Sequence, residues 1–329
     1  MSRECVARFC APVLAVSGFS GSGKTTLLEA AIPELVRSGI SVAVIKHDAH
    51  GIQIDRSGKD SDRLFQAGAT VALRGPDQQF LRRQGTSLLS LHATLEFLSR
   101  DHDLLLVEGH KNTPLLKFWL RDATQSDIPG DVTNVVGILE WNTNRVREFV
   151  SFVRGWLPVA WRRRPVLRGL LLDTGARDLP GKSQTASESG ELAQQGSIDT
   201  IVLGSGSLPP EYQNFSRIPD PPGIAAPFGA LLAAHRWAPT AAWMISDRES
   251  QFVSASYINW LVSLRTPGRW AVIPQGRGSS CTVGGLFEPQ ALTVLERDAL
   301  EAPDGKVRLD RLIEHPRTLM VEVPATIGS

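Results

Sequence analysis

The sequence predicts an α/β protein of two successive units, each a mostly parallel sheet with helices on both faces. Three observations predict it. Short, continuously apolar runs alternate with helical periods along the chain. A proline- and arginine-rich interruption breaks that rhythm near the middle. The length of 329 residues, at roughly 150 per domain, makes room for two cores. Unbroken rather than alternating hydrophobicity is what a strand covered on both faces requires, with the helical stretches as crossovers.

In the first unit, strands are predicted at Val13 to Val16, Val42 to Ile45, Thr70 to Leu73, Leu104 to Val107 and Val135 to Leu139. Helices are predicted at Thr25 to Val36, Leu88 to Leu98 and Val146 to Trp156. The interruption, residues 158–165, sets two prolines around Arg162, Arg163 and Arg164 and reads as a solvated linker. The domains are therefore placed at 1–157 and 166–329. In the second, Val166 to Leu172, Thr200 to Leu203, Ala241 to Ile245, Trp270 to Ile273 and Leu319 to Val323 read as strands. Helices are expected near Ala225 to His235, Tyr257 to Leu264 and Ala291 to Leu300. Trp156, Trp161 and Trp237 are assigned to the core by default.

Composition narrows the function. Hydrophobic residues at 42% and charged residues at 21% describe a folding chain, and a net charge of +1 recruits neither nucleic acid nor an anionic membrane. Three cysteines (Cys5, Cys10, Cys281) build no disulfide framework. No run approaches the roughly 20 apolar residues of a membrane helix, and Val13 to Val16 is too short for a signal segment. A cytoplasmic protein is expected, whose phosphate-bearing partner is bound by a local device.

That device is Gly18-Phe19-Ser20-Gly21-Ser22-Gly23-Lys24-Thr25, a G-x-x-x-x-G-K-[ST] loop between an apolar strand and a helix. Its glycines let backbone N–H groups turn inward around phosphate, the following helix presents its positive end, and Lys24 reaches the β and γ oxygens. The Thr25 hydroxyl is the expected Mg²⁺ ligand. The first unit is thereby predicted to be a P-loop NTPase domain. Such a loop needs an acid at the end of a nearby strand. Glu108 follows the run Leu104 to Val107, at the carboxyl edge where open α/β sheets bind ligands; Asp103 precedes it and is expected to cap or solvate the far edge.

After the second strand comes a segment dense in His, Asp, Lys and Arg, from Lys46 to Arg63. Lys59, Asp60 and Arg63 suit contacts to phosphate and Mg²⁺-bound water. His47, Asp48 and His50 could instead be metal ligands.

These motifs together resemble molybdopterin-guanine dinucleotide biosynthesis protein B. The resemblance is carried by Gly18 to Thr26, Lys46-His47 to Asp55, Gly58-Lys59-Asp60-Ser61 with Ala67-Gly68-Ala69, and Val107-Glu108-Gly109-His110-Lys111, in that order and spacing. It covers about the first 150 residues. It implies that Gly18, Ser20, Gly21, Ser22, Gly23, Lys24, Thr25 and Thr26 hold GTP. Thr25 and Glu108 would serve Mg²⁺, with Lys59 and Asp60 beside them. It also implies molybdopterin as a bound substrate, a separate molybdopterin nucleotidyltransferase as partner, and a homodimer. The choice of GTP over ATP rests on this resemblance alone, since no N-K-x-D-like motif is visible.

The second half more weakly resembles the nucleotidyltransferase of the same pathway, protein A, a Rossmann-like domain. Val166 to Leu172 looks like its first strand, Ala226-Pro227-Phe228-Gly229 like its G-P-L-x-G helix start, and Ser246-Asp247 like its metal-binding Asp. The departure lies in the loop that holds the triphosphate. Where the family has L-A-G-G, then R-M-G and a lysine, this chain reads Leu172-Asp173-Thr174-Gly175-Ala176-Arg177, with Lys182 displaced by a gap. A carboxylate and a branched side chain replace bare backbone, which disfavours phosphate. A degenerate, inactive transferase domain is expected.

The sequence thus predicts a GTP-binding accessory protein of molybdenum cofactor maturation with at most weak GTPase activity. One alternative is a bifunctional enzyme whose second half transfers GMP or CMP to molybdopterin, using a metal on Asp247. A further one is a P-loop small-molecule kinase.

Overall fold

The computed structural model describes residues 9–46, 55–83, 90–123, 127–141, 143–172, 198–208, 210–224, 227–247, 254–275, 284–301, 309–325 and 327. The first half runs β1 (Val13–Gly18), α1 (Lys24–Arg37), β2 (Val42–Lys46), α2 (Asp60–Gln66), β3 (Val71–Arg74), β4 (Gln79–Arg82), α3 (Leu91–Ser99), β5 (Leu104–Glu108), β6 (Lys117–Leu120), β7 (Val135–Leu139) and α4 (Arg145–Arg162). The second continues with β8 (Val166–Leu171), β9 (Thr200–Leu203), β10 (Ser216–Ile218), α5 (Phe228–Trp237), β11 (Ala242–Asp247), α6 (Ala255–Ser263), β12 (Ala271–Gln275), β13 (Gly285–Phe287), α7 (Pro289–Glu301), α8 (Leu309–Ile313) and β14 (Thr318–Glu322).

The first sheet has the order β2-β5-β1-β6-β7 and is parallel throughout. Alternation along its strands fills both faces. Leu14, Val16, Leu104 and Leu106 pack with Leu28 and Leu35 of α1 and Phe149 and Val153 of α4. Ala15, Leu105 and Val107 meet Leu95 of α3 on the other side. This is the α/β layering the apolar runs predict. In this half three strands, β3, β4 and β6, differ from prediction. The Thr70 to Leu73 run forms β3, which leaves the main sheet and pairs with β4 as a separate antiparallel hairpin. The place beside β1 is taken by β6, whose lysine hides it in the sequence. Lys117 is fully buried, its ammonium held by the carbonyls of Leu115 (2.9 Å), Thr133 (3.1 Å) and Thr113.

The second sheet has the order β10-β9-β8-β11-β13-β12-β14, with β13 antiparallel to both neighbours and the other pairings parallel. Leu231 of α5 and Leu292 and Leu295 of α7 cover one face; Tyr257 and Leu261 of α6 cover the other.

The stretch expected to be a linker is helical as far as Arg162, because α4 carries Pro158 within it and continues its apolar face through Leu157, Ala160 and Trp161. Arg164 is likewise no solvated linker residue. It is buried with Arg265 around Glu288: Arg164 Nη2 donates to Oε2 at 2.8 Å, Arg265 Nε to Oε1 at 2.7 Å, and Trp161 Nε1 to Oε1 at 3.1 Å. Arg164 also donates to the carbonyl of Cys10, as does Gln290 Nε2 at 2.8 Å. Asp103 does lie at the far edge, but it is fully buried rather than solvated. It accepts from Ser41 N (2.8 Å), Trp270 Nε1 (2.8 Å) and Arg317 Nη1 (2.6 Å). Trp161 is core as expected, whereas Trp237 is 58% exposed.

These bonds fix the orientation of the two sheets. Cys10, Ser41 and Asp103 precede β1, β2 and β5; Trp270 and Arg317 precede β12 and β14; Glu288 follows the reversed β13. The sheets therefore abut by their amino edges, and their carboxyl edges face away from each other. With strands of five or six residues rising about 3.3 Å each, the two carboxyl edges stand roughly 35 Å apart.

Candidate functional site at the carboxyl edge of the first sheet

The P-loop leaves the central strand β1 between β5 and β6, where the chain's order across the sheet reverses. Gly21 and Gly23 adopt φ of 78° and 84°, conformations costly for other residues, and these bring the loop back over the start of α1. Gly18 is required for space: a Cβ there would lie 2.6 Å from Ser22 Oγ and 2.7 Å from the Leu120 carbonyl.

The residues singled out by motif converge. Thr25 Oγ1 donates to Glu108 Oε1 at 2.7 Å, joining the first turn of α1 to the end of β5. The neighbouring turn is tied down by Ser17 Oγ donating to the Gly109 carbonyl at 2.7 Å. Lys24 Nζ curls back onto the loop carbonyls of Phe19 (2.6 Å) and Gly18 (3.2 Å). Burial lowers the Lys24 pKa, and Lys46 adds to this, while Glu108 opposes it. Ser22 Oγ is buried without a hydrogen-bond partner among the described residues, and Ser20 is exposed on the loop. A hydroxyl–carboxylate pair and a cation beside a glycine loop at a helix start are the groups that suit a Mg²⁺–phosphate group. Glu108→Gln is expected to raise severalfold the Mg²⁺ concentration needed for nucleotide binding, leaving metal-free binding little changed. A Mg²⁺ titration at fixed nucleotide checks this.

Lys59 and Asp60 are placed differently. Lys59 is the N-cap of α2 and both are exposed; among the described residues no hydrogen bond or ion pair joins them to the P-loop. Their neighbourhood is ordered by Asp62, which accepts from Gly58 N at 2.9 Å and Arg82 Nη1 at 2.8 Å. The hydrogen bond from Gly58, reinforced by Arg82, holds the Asp62 carboxyl below its ordinary range. His47, Asp48 and His50 lie outside the described residues, as do the loop from Asp173 to Lys182 and Arg248-Glu249 after Asp247. Among the described residues no group of three or more His, Cys, Asp or Glu could hold a metal ion. No helix among them is long and apolar enough to cross a membrane.

Sequence reasoning missed Arg145. Its Nη1 donates to the Ser22 carbonyl at 2.8 Å, its Nε to the Glu140 carbonyl at 2.9 Å, and its Nη2 to the Arg121 carbonyl. One guanidinium thus clamps the P-loop to the ends of β6 and β7. The available signal was the Asn144 cap, which accepts from Arg147 N and fixes where α4 begins.

In the second sheet Asp247 ends β11 in register with Leu171 at the end of β8. It therefore stands at the carboxyl edge where that sheet's strand order reverses.

A glycine-rich loop feeding a helix from the central strand of a parallel sheet, with an acid on the neighbouring strand, defines a P-loop nucleotide-binding fold. Residues 13–139 match the family model of molybdopterin guanine dinucleotide synthesis protein B. The molybdopterin-guanine dinucleotide biosynthesis adapter protein of Haemophilus influenzae is 33% identical over 162 residues, 89% of its length and 44% of this chain. That of Escherichia coli is 33% identical over 168 residues, 93% of its length and 44% of this chain. The crystal structure of a MobB protein homolog from Bacillus stearothermophilus aligns over 97% of its chain and 44% of this one, at 22% identity and a TM-score of 0.35. The chain belongs to the family of molybdopterin guanine dinucleotide synthesis protein B, through its first half.

Proposed function

We propose that the chain is a GTP-binding accessory protein of molybdenum cofactor biosynthesis. It would present Mg-GTP on the carboxyl edge of its first sheet and hydrolyse it weakly at most. The observation that carries this is the meeting of Lys24, Thr25 and Glu108 at one sheet edge in a member of this family. On this reading Gly18, Ser20, Gly21, Ser22, Gly23 and Thr26 complete the phosphate cradle, and the family resemblance adds Lys59 and Asp60 to the nucleotide site. Molybdopterin is the second substrate, and a separate molybdopterin nucleotidyltransferase is the partner, in line with the adapter role in the relatives' names.

Residues 166–329 are, on this reading, a nucleotidyltransferase-like domain that has lost its triphosphate loop and serves for binding. The opposed carboxyl edges favour a partner in trans, because a nucleotide on the P-loop cannot be reached by the chain's own second sheet. One observation favours the bifunctional alternative, the position of Asp247 at that sheet's switch point.

An assay of dinucleotide formation from molybdopterin and Mg-GTP separates the two. The chain alone is expected to form none, and to raise the yield of an added nucleotidyltransferase severalfold. Dinucleotide made by the chain alone, and lost in Asp247→Asn, would establish the alternative instead.

A further inference from the structure

The P-loop geometry accounts for phosphate and leaves the base unassigned. Beyond β1 the sheet continues through β6 to β7. Two interstrand steps of about 4.8 Å carry the carboxyl edge roughly 10 Å sideways from the phosphate loop. A ribose and an α-phosphate bridge that order of distance. At its far end stand Arg121, directly after β6, and Glu140 and Trp141, directly after β7.

Three features distinguish this spot from ordinary surface. Trp141 is 61% exposed, although burial is the default for so large an apolar ring. The Arg145 guanidinium lies 5.7 Å from its ring centroid, and the same guanidinium holds the Ser22 carbonyl of the P-loop. The ring is therefore tied in position to the phosphate site by a single side chain. Arg121 Nη1 and Glu140 Oε1 form an ion pair at 2.7 Å beside it, both partly open to solvent. Exposed pairs of this kind contribute little to stability and are readily exchanged for a ligand.

We propose that Trp141, Glu140 and Arg121 form the nucleobase site and select guanine. Trp141 stacks on the base. The Glu140 carboxylate accepts from guanine N1–H and the 2-amino group, a donor pair adenine lacks, and Arg121 donates to O6. The inference rests on the nucleotide-binding reading above and deepens it, naming the residues that choose the base where no N-K-x-D-like motif occurs.

The test measures Mg-GTP, Mg-ATP and Mg-pyrophosphate affinity, by calorimetry and by tryptophan fluorescence, in the full chain and in Trp141→Ala, Trp141→Phe and Glu140→Gln. Trp141→Ala should weaken Mg-GTP about tenfold or more. Trp141→Phe should retain most of the affinity, and pyrophosphate, which has no base, should bind all variants alike. Glu140→Gln should bring the affinities for Mg-GTP and Mg-ATP together. Unchanged Mg-GTP affinity in Trp141→Ala overturns the assignment, as does an unchanged GTP-to-ATP ratio in Glu140→Gln. A parallel loss of pyrophosphate binding would also overturn it, by making the effect one of loop structure. A wild-type chain that binds neither Mg-GTP nor pyrophosphate refutes the nucleotide reading itself, whereas one that binds both but ignores Trp141 refutes only the base site.

Discussion

Lys24→Ala should lower Mg-GTP affinity about a hundredfold or more while leaving the fold intact. The lysine is not part of the core: among the described residues its ammonium donates to the carbonyls of Gly18 and Phe19, so truncation exposes those oxygens to water at little cost. With nucleotide bound, the same ammonium would exchange carbonyls for β and γ phosphate oxygens. Two charge-assisted hydrogen bonds at about 1.5 kcal/mol each amount to roughly 3 kcal/mol, or a hundredfold. The pH dependence has a definite sign. Burial lowers the Lys24 pKa from an ordinary 10.5, and only the protonated amine binds phosphate. Affinity should therefore be steady near neutrality and decline on the alkaline side earlier than an exposed lysine would allow. Calorimetry across pH with wild type and variant reads both effects. Equal affinity in the two chains would remove Lys24 from the site.

Glu288→Ala should destabilise the chain by about 3–5 kcal/mol, because it strands two arginines in a buried site. Glu288 is 1% exposed and answers Arg265 and Arg164 together. Burial pushes the Arg164 pKa down to about 10, so the charge survives at neutral pH and needs its partner. For Glu288 itself burial acts to raise the pKa, but Arg265 and Arg164, with hydrogen bonds from Arg265 and Trp161, hold the carboxyl below its ordinary 4.5. A depressed carboxylate contributes stability that is present above the unfolded value of 4.5 and is lost as the pH falls through the folded value. Denaturant melts should show wild type losing stability below about pH 4.5, and Glu288→Ala lacking that part of the loss. A variant with a wild-type midpoint would mean that the joint between the two sheets does not depend on this triad.

The convergence of the P-loop residues was legible because the motif is local. Gly18, Gly21, Gly23, Lys24 and Thr25 lie within one turn of chain, and Glu108 is marked by the apolar run it ends. The joint between the sheets was illegible for the opposite reason. Asp103 and Arg164 are polar residues that sequence reasoning assigns to a solvated edge and a linker, and Glu288 and Gln290 carry no local mark; all four bond to partners over a hundred residues away in the chain. Strand β6 was missed because Lys117 opens it with a charge, which in the fold is buried and donates to the carbonyls of Leu115, Thr133 and Thr113. The Thr70 to Leu73 run has strand character, but local propensity carries no information about which sheet it joins. Arg145 looks like one more basic residue on a helix; its clamp on Ser22, Glu140 and Arg121 exists only once β1, β6 and β7 are side by side.

The central claim is that the chain carries one nucleotide site, on the first sheet, and that the second sheet no longer binds triphosphate. A calorimetric titration of the full chain with Mg-GTP, Mg-ATP and Mg-CTP tests it most directly. The account predicts one Mg-GTP per chain, weakened about a hundredfold or more by Lys24→Ala, with weaker Mg-ATP and no separate Mg-CTP site. Two sites per chain, or a Mg-CTP site that persists in Lys24→Ala, would contradict it and place an active triphosphate loop in the second half.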